Sequence, residues 1–93
     1  MAIEEFDWDE GNKIKNKLKH GVTKKESEHV FLDKHAVQFE DIKHSQVERR
    51  IIIIGKSKRN RHLHITFTIR RNKIRVISAR DANKKEREYY ENQ

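Results

Sequence analysis

His62-Leu63-His64-Ile65-Thr66-Phe67-Thr68-Ile69-Arg70 alternates without a break, with Leu63, Ile65, Phe67 and Ile69 set one way and His62, His64, Thr66, Thr68 and Arg70 the other. Successive side chains of a strand point to opposite faces, so the stretch reads as a strand with one buried and one polar face. That polar face is the candidate working surface. Working backward, Arg49 to Gly55 holds the unbroken aliphatic run Ile51-Ile52-Ile53-Ile54, as expected for a strand covered on both faces. Before it, from Ala36 onward, Val37 and Phe39 alternate as a short edge strand. Working forward, Arg71-Asn72 makes a tight hairpin connection to a strand over Lys73–Arg80, where Ile74 and Val76 share a face with Ser78 and Arg80.

Beyond these strands the period is helical. After a short apolar start (Ile3, Phe6, Trp8), Asp9 is placed to cap a helix from about Glu10 to Lys19, with Ile14 and Leu18 on one face and Gly21 as its left-handed stop. Thr23 and Glu26 have the spacing of a capping box, in which the hydroxyl accepts from the third backbone N–H and the carboxylate reaches back. They predict a second helix over about Lys24 to Phe31. Asn83 and Glu86 repeat that spacing and open a last helix reaching about Asn92. The order predicts an α+β domain: an antiparallel sheet with two N-terminal helices and one C-terminal helix, spanning residues 1–93 as a single domain.

Composition narrows the class. Only 33% of the 93 residues are hydrophobic and 40% are charged, yet the apolar residues gather in runs, which argues for a folded domain. Without cysteine the chain has neither a disulfide framework nor a thiolate metal site, and a reducing cytoplasm fits it best. Met1 to Asp9 is acidic and aromatic where a signal peptide is basic and then apolar, and no apolar run has membrane-spanning length. The expectation is a soluble, intracellular protein with no membrane association. The net charge of +7 is uneven: residues 1–46 carry −2 and no arginine, and residues 47–93 carry +9 and every arginine. A guanidinium holds phosphate through two hydrogen bonds, so an arginine-loaded half points to a polyanion.

RNA cleavage without metal needs few parts, because the substrate's own 2′-hydroxyl is the nucleophile. The protein supplies positioning, a base, an acid and positive charge. Arg61, Arg75 and Arg80 are the sheet-borne candidates for phosphate, and Lys19 joins them if the end of the first helix lies over the sheet. Candidate proton carriers are His20, Glu48, His62, His64 and Tyr90, and the two histidines of the polar face are also candidate RNA contacts. The expected geometry is Arg61 and Arg80 converging on one phosphodiester. His62-x-His64 puts two imidazoles on one side of a strand, but no carboxylate pair or cysteine completes a metal set, and neither a metal nor a cofactor is expected. GxSxG is absent, and Gly11, Gly21 and Gly55 are too far apart for a phosphate-cradling loop. A non-catalytic nucleic-acid-binding module is the competing reading. The aromatics weigh against it, since Phe6, Trp8, Phe31, Phe39 and Phe67 fall at core positions and leave Tyr89 and Tyr90 as the exposed rings. No helix combines basic residues with helix-turn-helix spacing, so direct operator binding is not expected.

In order along the chain stand Phe6-Asp7-Trp8-Asp9, Asn16, Lys19-His20-Gly21-Val22, Val30-Phe31 with Asp33, Asp41, His44-Ser45, Glu48 with Arg49 or Arg50, and Ile54-Gly55-x-Ser57. Arg61, Phe67-Thr68, Ile74-Arg75-x-Ile77-Ser78-Ala79-Arg80, Ala82, Glu86-Arg87 and Tyr90 complete the series. This ordered series resembles the BrnT toxins over nearly the whole chain. It departs from the usual form at Glu10, where proline is common, and at Asn12, where lysine is frequent. The resemblance implies a RelE-like fold and a metal-independent endoribonuclease that inhibits translation. It also implies neutralisation by a BrnA-like ribbon-helix-helix antitoxin, with operator DNA bound only through that antitoxin. Carried over residue by residue, the family pattern lands on Lys19, His20, Glu48, Arg61, Arg80 and Tyr90.

Overall fold

The computed structural model of the chain describes residues 5–8, 17–19 and 21–93. Its centre is a meander of three strands, β3 (Ile51–Lys56), β4 (His62–Arg70) and β5 (Lys73–Asp81), joined by tight connections. Strand β2 (Val37–Glu40) pairs antiparallel to β3, and the two-residue β1 (Lys17–Leu18) adds in parallel to β5, giving the order β1-β5-β4-β3-β2. Helix α1 (Lys24–Val30) covers one face, and helix α2 (Lys84–Glu91) packs on the other. Among the described residues these are the two α-helices, and neither is long and apolar enough to cross a membrane. The fold is therefore α+β around an antiparallel four-strand core.

The expected helix from Glu10 to Lys19 is overturned at its C-terminal end, where Lys17–Leu18 form β1. Residues 9–16, with the Asp9 cap, lie outside the described residues. The reason is the open edge of β5, whose backbone groups need partners: Lys19 N–H donates to Ala79 O at 3.0 Å, and Leu18 packs against the core. The β4–β5 hairpin is as predicted, with Arg71 and Asn72 both at positive φ (52° and 65°), the conformation of a two-residue primed turn.

The two faces follow from the register. Leu63, Ile65, Phe67, Ile53, Ile74, Val76 and Ala79 form one buried cluster with Val22 and Val30 from around α1. Phe6, Trp8 and Phe31 pack against it, and the Trp8 indole N–H donates at 2.7 Å to Glu28 of α1. A smaller cluster of Ile54, Ala82 and Tyr90, with Val37 and Ile52, lies beneath α2. The aliphatic run of β3 thus serves both cores, Ile53 inward to α1 and Ile54 to α2, as its lack of alternation required.

Two strands depart from their patterns. At the end of β4 Thr68 is buried at 2% exposure, its hydroxyl donating to Arg49 O at 2.7 Å, and Ile69 is 37% exposed. The pairing of β4 with β5 shifts between Thr66 and Phe67, leaving Ile77 as an extra residue on β5 between Thr66↔Ser78 and Phe67↔Val76. Past a bulge the side-chain parity of the strand reverses. Ser78 and Arg80 therefore do not share a face with Ile74 and Val76; they stand opposite Thr66 and His64, on the α2 side. Phe39 is likewise not a core residue, being 40% exposed on the edge strand.

Candidate active site

On the α2 side of the sheet, beyond the end of the small core, the register places His64 opposite Arg80 and Thr66 opposite Ser78. The connection from β2 to β3 closes over this surface. Asp41 N–H donates to Arg50 O at 2.9 Å, Arg50 N–H donates to Ser45 Oγ at 2.9 Å, and that hydroxyl donates to Asp41 O at 2.6 Å. This ties the loop so that His44 and Arg50 join the strand residues around a hollow of about 380 Å³, roofless and polar, floored by Ile52 and Thr66.

The charges in the hollow are organised around Glu86. Its carboxylate receives both terminal nitrogens of Arg80, at 2.8 and 2.9 Å, and lies 3.5 Å from Nε2 of His64. Burial would raise the Glu86 pKa, but the hydrogen bonds from Arg80 and the Asn83 N–H outweigh it and hold the carboxyl below its ordinary value. His64 is pushed the other way to most paired histidines: burial, then the Arg80 charge, lowers its pKa below 6.5 despite the opposing pull of Glu86. It is thus a neutral imidazole at neutral pH, able to accept a proton. His44 is more exposed, with Nδ1 held 2.9 Å from Asp41 Oδ2, which fixes the ring and turns Nε2 away from that carboxylate. The Arg50 guanidinium has no ion-pair partner among the described residues.

Two arginines expected to converge stand apart. Arg61 lies on the α1 side, where Nε meets Asp81 Oδ1 at 2.6 Å and Nη1 meets Glu26 Oε1 at 3.4 Å. Glu26 is only 4% exposed and also accepts from Ser57 Oγ, so its carboxylate serves this junction instead of reaching back to complete the α1 cap. The hydrogen bonds to Asp81 raise the Arg61 pKa and lock its charge in place. Arg61 therefore clamps α1 and β5 to the start of β4, with its guanidinium committed to Asp81 and Glu26. The Ile77 bulge turns Arg80 to the α2 side, while Arg61 turns to α1.

Tyr90, expected as a proton carrier, is buried on the inner face of α2 with its hydroxyl donating to Asp33 Oδ2 at 2.6 Å. Burial, reinforced by that carboxylate, drives its pKa well above 10. Asp33 also accepts from the Lys56 N–H at 2.8 Å, so Tyr90 ties α2 to the α1–β2 connection. His62 sits against the Tyr90 ring and 3.0 Å from Glu91, outside the hollow. Arg75 is 7% exposed and meets Asp7 at 3.5 Å, which removes it from open contact with a polyanion. Glu48 is held below its ordinary pKa first by hydrogen bonding to Arg70, with Arg75 and Arg50 adding to the effect. Lys19 is exposed at the β5 edge beside Ala79, and His20 lies outside the described residues.

Of the sequence candidates, then, the hollow contains His64 and Arg80. It adds Arg50, His44 and Asp41, which sequence reasoning quoted as motif pieces without giving them a role. Among the described residues no three histidine or acidic side chains gather in a way that could hold a metal ion.

The profile of a family described as the ribonuclease toxin BrnT of a type II toxin-antitoxin system matches residues 8–86. The chain belongs to this family. No curated relative matches it closely enough to add to that. As a BrnT toxin it is a ribonuclease and has an antitoxin as its partner. The match ends at Glu86, the residue that joins α2 to the hollow.

Proposed function

We propose that this BrnT toxin is a metal-independent endoribonuclease acting at the hollow lined by His44, Arg50, His64 and Arg80. The observation that carries the reading is His64, a neutral imidazole held beside a guanidinium in an open polar depression. His64 takes the proton of the substrate 2′-hydroxyl as its oxygen attacks the adjacent phosphorus. The bond from phosphorus to the 5′-oxygen breaks, and that oxygen takes a proton from His44, leaving a 2′,3′-cyclic phosphate and a 5′-hydroxyl. Arg50 and Arg80 offset the charge that builds on the phosphoryl oxygens, where preorganised donors act most strongly. Arg61, Tyr90, His62, Arg75 and Glu48 hold the scaffold.

The fold is RelE-like on this reading, supported by the antitoxin-dependent family and the antiparallel sheet with its C-terminal helix. Cleavage of RNA accounts for an arrest of translation. The partner is a BrnA-like ribbon-helix-helix antitoxin, through which operator DNA is bound. Purified protein incubated with RNA in excess chelator should yield cyclic phosphate ends. Strict dependence on added divalent cation would rule the mechanism out, and bound but intact RNA would favour a toxin that acts by occupancy.

A further inference from the structure

Beside the polar hollow lies a second depression of different character. It is lined by Phe39, Ile54, Tyr89, Lys85 and Glu86 and has a volume of about 320 Å³. Phe39 and Tyr89 are 40% and 45% exposed, and their rings meet edge to face at 83° with centroids 5.9 Å apart. Two rings at right angles make a corner: a flat aromatic ligand can stack on one while its edge abuts the other. The two depressions share no lining residue but are neighbours on the sheet. Phe39 stands directly opposite Ile52, which floors the polar hollow, and strands are about 4.8 Å apart. Glu86 links them: it lines the apolar corner and is bonded to Arg80, which lines the polar hollow. Lys85 adds a cation at the rim.

We propose that this corner is a nucleobase-binding subsite, in which Phe39 and Tyr89 stack the base of the nucleotide next to the phosphodiester held at Arg80. The inference rests on the ribonuclease reading and deepens it to substrate recognition. An apolar floor, two orthogonal rings and a single lysine suit a base with its phosphate. They read no base edge, so stacking selects for the presence of a base more than for its identity.

The test uses a short RNA, its copy with one abasic nucleotide beside the cut, and 2′-O-methyl versions of both that bind without being cleaved. Wild-type protein should bind the based 2′-O-methyl RNA about 5- to 150-fold more tightly than the abasic one, the range for one stacked base. Tyr89→Leu and Phe39→Leu, which keep apolar bulk but remove the ring face, should lose that preference and raise KM more than they lower kcat; Tyr89→Phe should restore it. Equal binding of based and abasic RNA by wild type overturns the subsite, whether or not cleavage occurs, as does unchanged affinity in both leucine variants. Failure of cleavage with the base preference intact overturns the ribonuclease mechanism alone.

Discussion

The carboxylate of Glu86 accepts from the Asn83 N–H at 2.9 Å while it binds Arg80 and faces His64, so the residue that caps α2 also fixes the charge state of the hollow. Replacing Asn83 with alanine should cost about 0.5–2 kcal/mol of stability in denaturant unfolding, as loss of an N-cap does. At His64 the folded pKa lies below that of the unfolded chain, so the unfolded chain binds its proton first as pH falls. Stability from this group is complete above pH 6.5 and is lost as pH falls through the folded value. The lowered Glu86 pKa acts in the same direction at lower pH. Cleavage should therefore persist on the acid side of 6.5, where an ordinary imidazole base is protonated. Glu86→Gln removes the largest of the influences that raise the His64 pKa, ahead of a backbone hydrogen bond and Asp41, and it should move the acid limb of the pH–rate profile further down. An unmoved limb would take His64 out of the base role.

Among the elements, β5 shows how far alternation can be trusted. The pattern of β4 is legible from His62 to Phe67 and fails at the strand's end, where Thr68 is buried and Ile69 exposed, while the Arg71-Asn72 turn, the α2 capping box and the α1 boundaries follow from local chemistry alone. Ile77 carries no local signature of an extra residue, so alternation alone puts Ser78 and Arg80 on the wrong face. Arg50 was hidden for a related reason: an unbroken aliphatic strand gives no parity, and only pairing with β4 shows that residue 50 turns with Ile52 and Ile54 while Arg49 turns away to Glu40. β1 could not be foreseen because its reason for existing is the distant edge of β5. Gly55 is a further element-scale constraint. A Cβ there would stand 3.0 Å from Val30 Cγ1, 3.1 Å from Ala36 Cβ and 3.1 Å from Asp33 Oδ2, so the residue admits the close approach of α1 and the connection after it. Gly55→Ala should destabilise by about 1–3 kcal/mol through overpacking, read as a lower denaturant midpoint.

For the whole molecule, the charge asymmetry and the two-sided sheet combine into a division of labour. The α1 face is a core sealed by the Glu26–Arg61–Asp81 junction, and the α2 face carries an open polar hollow with an apolar corner beside it. RNA affinity should fall steeply with salt, and Arg80→Ala should reduce the salt slope by about 1. Loss of affinity without a change of slope would mean that Arg80 does not meet phosphate. The assignment of function to one face is tested most directly by cleavage rates of Arg80→Ala and Arg61→Ala, measured on one RNA at a temperature where both remain folded. The account predicts a fall of about 10²-fold or more for Arg80→Ala. Arg61→Ala should lose about 1–3 kcal/mol of stability, because the buried Glu26 loses its guanidinium and keeps the Ser57 hydroxyl, and retain a rate near that of wild type. Equal loss of rate in the two folded variants, or an undiminished rate in Arg80→Ala, would contradict it.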